Sequence, residues 1–216
     1  MPLVYWPALM VGAYLLGSIP FSQVMAKVNG VDLRKVGTGN VGAGNLKREV
    51  GLWWAVVAGL LDGLKGTAPV LLAAEMGLGP GASGLAGIAA VAGHNWSIFM
   101  KGRSGRGLAT SAGIVLGLYW PYLIWTAGWS IVGWKIGGGL GGFLGWALLP
   151  ILAVALGRPP TESLMLALLA VILMARRVQG NRDAPRETGF AMRRILYDTD
   201  QSPDSPGETA EDPLTS

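Results

Sequence analysis

The sequence of 216 residues contains no cysteine and a single histidine, His94. The absence of cysteine excludes disulfide bonds, a thiolate nucleophile and any cysteine-built metal site. One histidine is too few for a histidine-built metal cluster, so we expect no metal site. Charge is also scarce, because 14% of the residues are charged, whereas a soluble domain usually has about 25%. The composition therefore predicts an all-α polytopic membrane protein.

Hydrophobic residues make up 51% of the chain, and they form long runs separated by short polar segments. Because about 20 apolar residues cross the hydrocarbon core of a bilayer, these runs predict seven transmembrane helices. The first run has no basic residue before it, which favours a membrane span over a cleaved signal peptide. If residues 108–134 form one long helix or a re-entrant segment, the count falls to six. The predicted spans are Val4–Val28, Leu52–Ala74, Pro80–Met100, Leu108–Ile124, Trp125–Trp134, Leu140–Gly157 and Glu162–Ala175.

Lysine and arginine residues set the predicted orientation, since they favour the cytoplasmic side near the ends of spans. With seven spans and the N-terminus outside, 15 of the 17 cations fall on the cytoplasmic side. Lys65 lies within a span, and Arg158 falls outside. We therefore predict an outside N-terminus, a cytoplasmic C-terminus and a membrane domain over residues 1–197. Residues 198–216 are rich in Asp, Glu, Ser and Pro, which predicts a disordered acidic tail.

The segment Asn29–Arg48 is the most distinctive part of the sequence. It places five glycines, three asparagines and four cations between two apolar runs. Glycine permits backbone angles closed to other residues, so successive N–H groups can point into one concavity that cations make attractive to phosphate. A second basic glycine-rich segment, Lys101–Gly107, follows the third predicted span. Two such cytoplasmic segments indicate a site for a phosphorylated substrate, with a flexible linker as the alternative for the first.

Three polar groups in or beside the apolar runs are open to two interpretations each. Asp62 and Lys65 are three residues apart and share a helical face, so they form a structural ion pair or orient the glycine-rich segment. His94 is a hydrogen-bonded structural residue or a catalytic base. Arg103 and Arg106 contact solvent and lipid headgroups, or they bind phosphate with their guanidinium forks.

The motifs, taken in order, resemble those of the bacterial acyl-phosphate:glycerol-3-phosphate acyltransferases. The resemblance covers about residues 10–115. The motifs are Gly17-Ser-Ile-Pro20, Asp32-x-Arg34, Gly37-Thr-Gly39-Asn40-x-Gly42-Ala43-x-Asn45-x-x-Arg48, Asp62-x-x-Lys65-Gly66, Gly93-His94 and Gly105-Arg106-Gly107-Leu108-Ala109-Thr110.

The resemblance implies a seven-span enzyme of the bacterial inner membrane that uses no cofactor. Such an enzyme transfers a fatty acyl group from acyl-phosphate to the sn-1 hydroxyl of glycerol 3-phosphate and forms lysophosphatidic acid for phospholipid synthesis. Its partners would be these two substrates and membrane lipid, with no nucleic acid, while the oligomeric state is not indicated. An acyl-phosphate is already activated, so the protein must neutralise two phosphates and align the hydroxyl with the carbonyl.

The resemblance also implies roles for particular residues. The amides of Gly37–Asn45 would bind one phosphate, and Arg48 with the second basic segment would bind the other. The base would be the substrate's own phosphate or His94. The implied catalytic residues are Ser18, Arg48, His94 and Arg106, and the implied substrate-binding residues are Gly37, Thr38, Gly39, Asn40, Gly42, Asn45, Lys101, Arg103, Gly105 and Asn181.

The chain also departs from the family's pattern. Thr38 and Gly44 replace a serine and a threonine, and Arg103 and Arg106 stand where lysines are usual. The family's serine after the fifth span and its histidine after the last span are absent, and Asn181 is a candidate for the asparagine that accompanies that histidine. A catalytically inactive paralogue that binds phosphate esters or phospholipid is therefore one alternative. A small-solute transporter, indicated only by the intramembrane Asp62 and Lys65, is another.

Overall fold

A computed structural model describes residues 2–135, 139–180 and 189–196, and within these ranges the chain is mostly helical. A single 3-10 turn, Pro2–Tyr5, precedes the first helix. The helices and strands, in chain order, are α1 (Trp6–Ser18), α2 (Phe21–Val28), α3 (Ala43–Glu49), α4 (Leu52–Glu75), α5 (Pro80–Asn95), β1 (Trp96–Ser97), β2 (Gly102–Arg103), α6 (Leu108–Leu118), α7 (Pro121–Lys135), α8 (Gly139–Ala147), α9 (Leu149–Ala155), α10 (Pro160–Gln179) and α11 (Phe190–Leu196). Asn181 and the predicted acidic tail, residues 198–216, lie outside the described residues.

The first predicted span is broken at Ile19–Pro20. Proline has no backbone N–H and cannot donate the helical hydrogen bond. The Ile19 N–H donates instead to the carbonyl of Leu16 at 3.2 Å, and the Phe21 N–H donates to the carbonyl of Ile19 at 3.1 Å. Helix α2 therefore begins anew at Phe21 and leads directly into the glycine-rich segment.

The prediction of an all-α chain was wrong at one point, the end of the third predicted span. Helix α5 ends at Asn95 rather than Met100, and β1 and β2 form a short antiparallel hairpin in which Trp96 pairs with Arg103. Lys101 and Gly102 have φ angles of +55° and +120°, and these positive angles let the chain reverse direction. The hairpin carries the first three residues of the second basic segment, Lys101 to Arg103.

The later spans differ from prediction mainly where proline sets a boundary. Helix α7 begins at Pro121, so the division between the fourth and fifth spans lies several residues earlier than predicted. The sixth span is divided into α8 and α9, with Pro150 in the first turn of α9. Helix α10 extends beyond both ends of the predicted Glu162–Ala175. Proline favours the first turn of a helix, where its missing N–H removes no internal bond.

By length and hydropathy, two helical stretches in the described part of the chain suffice to cross a membrane. These are Trp6–Val28, which includes the break, and Leu52–Glu75, while Leu108–Leu118 and Leu140–Ala155 are shorter apolar stretches. The count of seven spans stays a prediction. Large apolar side chains face outward from α4, including Trp53, Leu60 and Leu64, which are 79%, 65% and 61% exposed.

Glycines allow two pairs of helices to approach closely. A Cβ at Gly17 would overlap the carbonyl oxygen of Ala90, which brings α1 against α5. A Cβ at Gly66 would overlap the carbonyl oxygen of Thr110, which brings α4 against α6. Small residues at helix interfaces permit such backbone contact in membranes. The close packing holds the four helices that surround the candidate site.

Candidate active site

The glycine-rich segment is a folded loop that is built around Asn45. This side chain is 3% exposed, and its Oδ1 accepts the N–H of Thr38 at 3.1 Å. Its Nδ2 donates to the carbonyls of Leu33 and Val36, each at 3.1 Å. Asn45 therefore uses its amide on the loop itself, which shapes the segment rather than leaving it as an extended linker.

The loop is also anchored where it leaves α2. The Gln23 side chain is 4% exposed, its Nε2 donates to Asp32 Oδ1 at 2.7 Å, and its Oε1 accepts the N–H of Leu33 at 3.2 Å. Arg34 donates to both oxygens of the same carboxylate, at 2.9 and 2.7 Å. The Arg34 guanidinium holds the pKa of Asp32 well below its usual value of 3.8. The carboxylate thus stays ionised and fixes the first half of the loop.

The tip of the loop is open to solvent and basic. Gly37 and Gly39 have φ angles of +55° and +67°, which favour glycine. Gly37 and Thr38 are exposed, whereas Asn40 and Gly42 are half-buried and lead into α3. The exposed cations around this tip are Lys35, Lys47 and Arg48. The N–H groups of Thr38, Gly39 and Asn40 donate within the loop, so the cations are the groups at this tip that can bind phosphate.

The second basic segment is held against the end of the last long helix. Arg103 Nη1 donates to the carbonyl of Gln179 at 3.1 Å, and Trp96 Nε1 donates to Gln179 Oε1 at 2.9 Å. Arg176 is 1% exposed, and its Nη2 donates to the carbonyl of Ser104 at 2.8 Å. Lys101 is exposed at the turn of the hairpin. Helix α10 therefore positions the cationic segment between β1 and α6.

His94 lies beneath this segment and not at its surface. The imidazole is 6% exposed, and its Nδ1 lies 3.6 Å from Asp62 Oδ1. A Cβ at Gly105 would overlap His94 Nε2, so the Gly105 backbone covers the other ring nitrogen. Arg106 follows directly and is half-buried. The two ring nitrogens of His94 therefore face protein groups, Nδ1 toward Asp62 and Nε2 toward the Gly105 backbone.

Ser18 lies at the junction of the two segments. It is fully buried, and its hydroxyl donates to the carbonyl of Tyr14 at 2.9 Å. The carbonyl of Ser18 accepts the hydroxyl of Ser97, the second residue of β1. The next carbonyl, of Ile19, accepts Lys65 Nζ at 2.8 Å. The predicted pairing of Lys65 with Asp62 is confirmed, with Nζ 2.8 Å from Oδ1.

A shared hydrophobic cluster joins the two basic segments. Met100, at the turn of the hairpin, packs with Leu33, Val41 and Leu46 of the glycine-rich segment. Leu33 and Leu46 have no exposed surface, and Met100 is 8% exposed. The two segments are therefore neighbours on one side of the helical bundle, although about 60 residues separate them in the sequence.

Sequence reasoning missed several residues that build this site, above all Gln23, Ser97, Arg176 and Gln179. Arg176 was expected only as one of the cytoplasmic cations. Its bond to Ser104 joins residues 72 positions apart, and no local pattern predicts such a partner. Of these residues, only Gln23 could have been identified from the sequence, because an amide buried in an apolar helix requires a hydrogen-bond partner.

The fold and site together define a class, namely helical membrane proteins that carry two adjacent basic, glycine-rich segments. The family model described as glycerol-3-phosphate acyltransferase matches residues 7–184. A glycerol-3-phosphate acyltransferase of Thermus thermophilus is 39% identical over 163 residues, which cover 74% of this chain and 82% of the relative. Glycerol-3-phosphate acyltransferase 2 of Moorella thermoacetica is 41% identical over 160 residues, covering 71% and 80%.

A solved structure shows the same fold. The chain is similar to the crystal structure of PlsY, an integral membrane glycerol 3-phosphate acyltransferase, in its glycerol 3-phosphate form, with a TM-score of 0.74 and 30% identity. The similarity covers 81% of this chain and 88% of that one. The chain belongs to the glycerol-3-phosphate acyltransferase family and is a membrane protein.

Proposed function

We propose that this protein transfers a fatty acyl group from acyl-phosphate to the sn-1 hydroxyl of glycerol 3-phosphate. The acyltransferase activity on glycerol 3-phosphate follows from the family, and a related structure of PlsY is in the lysophosphatidic acid form. The observation that supports acyl-phosphate as the donor is the pair of basic segments joined through Met100. Each segment can neutralise one phosphate, and the two substrates bring two.

The reaction balances without a covalent enzyme intermediate. The glycerol hydroxyl attacks the acyl carbonyl and forms the new ester C–O bond. The bond between the carbonyl carbon and the phosphate oxygen breaks, and inorganic phosphate leaves. The hydroxyl proton passes to a phosphate oxygen, so the products are lysophosphatidic acid and hydrogen phosphate. The protein contributes alignment and positive charge where negative charge develops.

The exposed loop tip is the proposed site for the phosphate of one substrate. The exposed cations Lys35, Lys47 and Arg48 are its proposed phosphate ligands, while Asn45 shapes the loop from below. Lys101, Arg103 and Arg106 serve the second phosphate and the oxyanion of the tetrahedral intermediate. Arginine stays protonated throughout the working pH range, so it binds phosphate but cannot act as a base.

The substrate phosphate is the proposed base rather than His94. Both nitrogens of the imidazole face protein groups, since Nδ1 lies toward Asp62 and the Gly105 backbone covers Nε2. His94→Gln should therefore retain substantial turnover. Loss of turnover with unchanged affinity for glycerol 3-phosphate would assign the base to His94 instead.

The proposed location is the bacterial inner membrane, with several spans, an outside N-terminus and a cytoplasmic C-terminus. Cysteines introduced at Pro2 and Ser216 of this cysteine-free chain should react with impermeant reagents from opposite sides of sealed vesicles. Reaction from the same side would contradict an odd number of spans.

The activity is tested with purified protein, acyl-phosphate and labelled glycerol 3-phosphate. We expect labelled lysophosphatidic acid from the wild type and none from Gly39→Val, because valine is strained at the left-handed angle of Gly39. Binding of glycerol 3-phosphate without product at every acyl-chain length would support the inactive paralogue. The observation that indicated a transporter has a structural explanation, since Asp62 contacts Lys65 and Lys65 also donates to the carbonyl of Ile19.

A further inference from the structure

The break in the first span leaves two consecutive carbonyls outside the helical hydrogen-bond pattern. In an uninterrupted helix, the carbonyls of Ser18 and Ile19 would accept the N–H groups of Ser22 and Gln23, four residues later. Pro20 interrupts this pattern, and α2 begins at Phe21. Buried carbonyls require other donors. The Phe21 N–H is one donor to Ile19, at 3.1 Å, and the other donors to the two carbonyls are side chains from elsewhere in the chain.

Each carbonyl is bound by a side chain from a different part of the site. Lys65, from α4, donates to Ile19 at 2.8 Å, and Ser97, from β1, donates to Ser18. Lys65 is 2% exposed and Ser97 has no exposed surface. The Lys65 ammonium also lies 5.5 Å from the centroid of the Phe21 ring, the first residue of α2. Both sides of the break are therefore held by Lys65.

The break connects directly to both substrate-binding segments. Helix α2 carries Gln23, which binds Asp32 and Leu33 at the start of the glycine-rich loop. Ser97 belongs to the hairpin that carries the start of the second basic segment. A shift at the break would change the position of one segment relative to the other.

We propose that Lys65 is a positioning residue which, together with Ser97, fixes the break in the first span and so sets the relative placement of the two phosphate-binding segments. The inference rests on the proposed function for its kinetic consequence only. Lys65 Nζ also contacts Asp62 Oδ1, at an N···O distance of 2.8 Å. Lys65 is buried and donates to Ile19, so its proposed effect on catalysis passes through that carbonyl.

A simple buried ion pair makes a different prediction from a positioning residue. Removing one member of a buried pair leaves an uncompensated charge, whereas replacing both members by neutral groups is often tolerated. If Asp62 and Lys65 only neutralised each other, the double variant Asp62→Asn, Lys65→Met would behave like wild type. If Lys65 positions Ile19, the double variant stays folded but loses the bond that fixes the break.

The test compares thermal unfolding, kinetics and hydrogen exchange for the double variant and wild type in detergent. We expect a melting temperature within about 4 °C of wild type and kcat/KM reduced roughly tenfold to a hundredfold, as for one lost charged hydrogen bond. Backbone exchange should rise in residues 30–45 and 96–107 and stay unchanged in α6. Wild-type kinetics together with wild-type exchange in both segments would overturn the proposal. If wild type itself shows no acyl transfer, the exchange measurement still decides this inference, while the proposed function fails separately.

A second pair of variants decides the question should the double variant fail to fold. Ser97→Ala removes the donor to Ser18 and also the acceptor of the Met100 N–H, and it leaves the charged pair intact. The decisive exchange is therefore in residues 30–45, outside the hairpin, where it should rise. Ser163→Ala is the matched control, because its buried hydroxyl has no hydrogen-bond partner in the part of the chain that the structure describes. Equal exchange in Ser97→Ala and Ser163→Ala would overturn the proposal.

Discussion

Replacement of Asn45 by alanine tests whether the glycine-rich loop is preorganised for phosphate. The variant loses three hydrogen bonds, one from the Thr38 N–H and two to the carbonyls of Leu33 and Val36. At roughly 1 kcal/mol each, the folded loop loses about 3 kcal/mol. A difference of that size changes an equilibrium about a hundredfold. Water can form hydrogen bonds with some of the backbone groups that lose Asn45, so part of the free energy is recovered. We therefore expect the KM for glycerol 3-phosphate to rise between about tenfold and a hundredfold.

The assay measures KM by product formation and loop order by hydrogen exchange at residues 33–45. Asn45→Asp should be no better than alanine, since its carboxylate would face two carbonyl oxygens that now accept hydrogen bonds from Nδ2. Asn29→Ala is the control, because the Asn29 side chain is exposed and donates only to the carbonyl of Met25 among the described residues. A KM for Asn45→Ala within twofold of wild type, with unchanged exchange, would refute the preorganised loop. A raised KM with unchanged exchange would make Asn45 a direct phosphate ligand.

Two further predictions concern the second segment and the loop's anchor. Gly105→Ala should abolish most activity, because its Cβ would overlap His94 Nε2. Gly44→Ala is the control, because its Cβ meets nothing within 4 Å, and it should retain activity and gain about 0.5–1 kcal/mol of helix stability. Equal activities of the two variants would contradict the packing of Gly105 against His94. The pKa of Asp32 is lower in the folded protein than its usual value of 3.8. The Asp32 carboxylate therefore stabilises the loop fully above pH 3.8, and this stabilisation is lost only as the pH falls through the lower pKa of the folded state. The protection of the loop amides from hydrogen exchange, after correction for intrinsic exchange rates, should therefore not change between about pH 5 and 9. A transition in that range that disappears in Asp32→Asn would show that Arg34 does not hold the carboxylate ionised.

The sequence predicts the location of the site better than the roles of its side chains. The density of glycine and cations marked both Asn29–Arg48 and Lys101–Gly107, and the structure brings these segments together through Met100. Asn45 stood among the expected phosphate ligands, yet its amide is directed into the loop. Composition shows which groups are present, but burial decides whether an amide faces a ligand or the backbone.

A helix boundary could be predicted from proline at Pro20, whereas the boundaries at Pro121 and Pro150 and those set by tertiary contacts were missed. Pro20 lies inside the first predicted span and favours a kink there, because proline removes a helix donor, and the structure has a full break at this point. The hairpin after α5 could not be predicted, because an apolar run through Met100 reads as a continuing helix. Tyr14 contacts the carbonyl of Trp96 across 82 positions of the chain, and contacts at that separation arise only when the helices pack.

The measurement that tests the central claim most directly is the product balance with two acyl donors. Purified protein is supplied with glycerol 3-phosphate and either acyl-phosphate or the matching acyl thioester, and lysophosphatidic acid and inorganic phosphate are quantified together. We predict one phosphate released for each lysophosphatidic acid formed from acyl-phosphate, and no product from the thioester. Product from the thioester alone, or no product from either donor, would contradict the assignment of both basic segments to substrate phosphates.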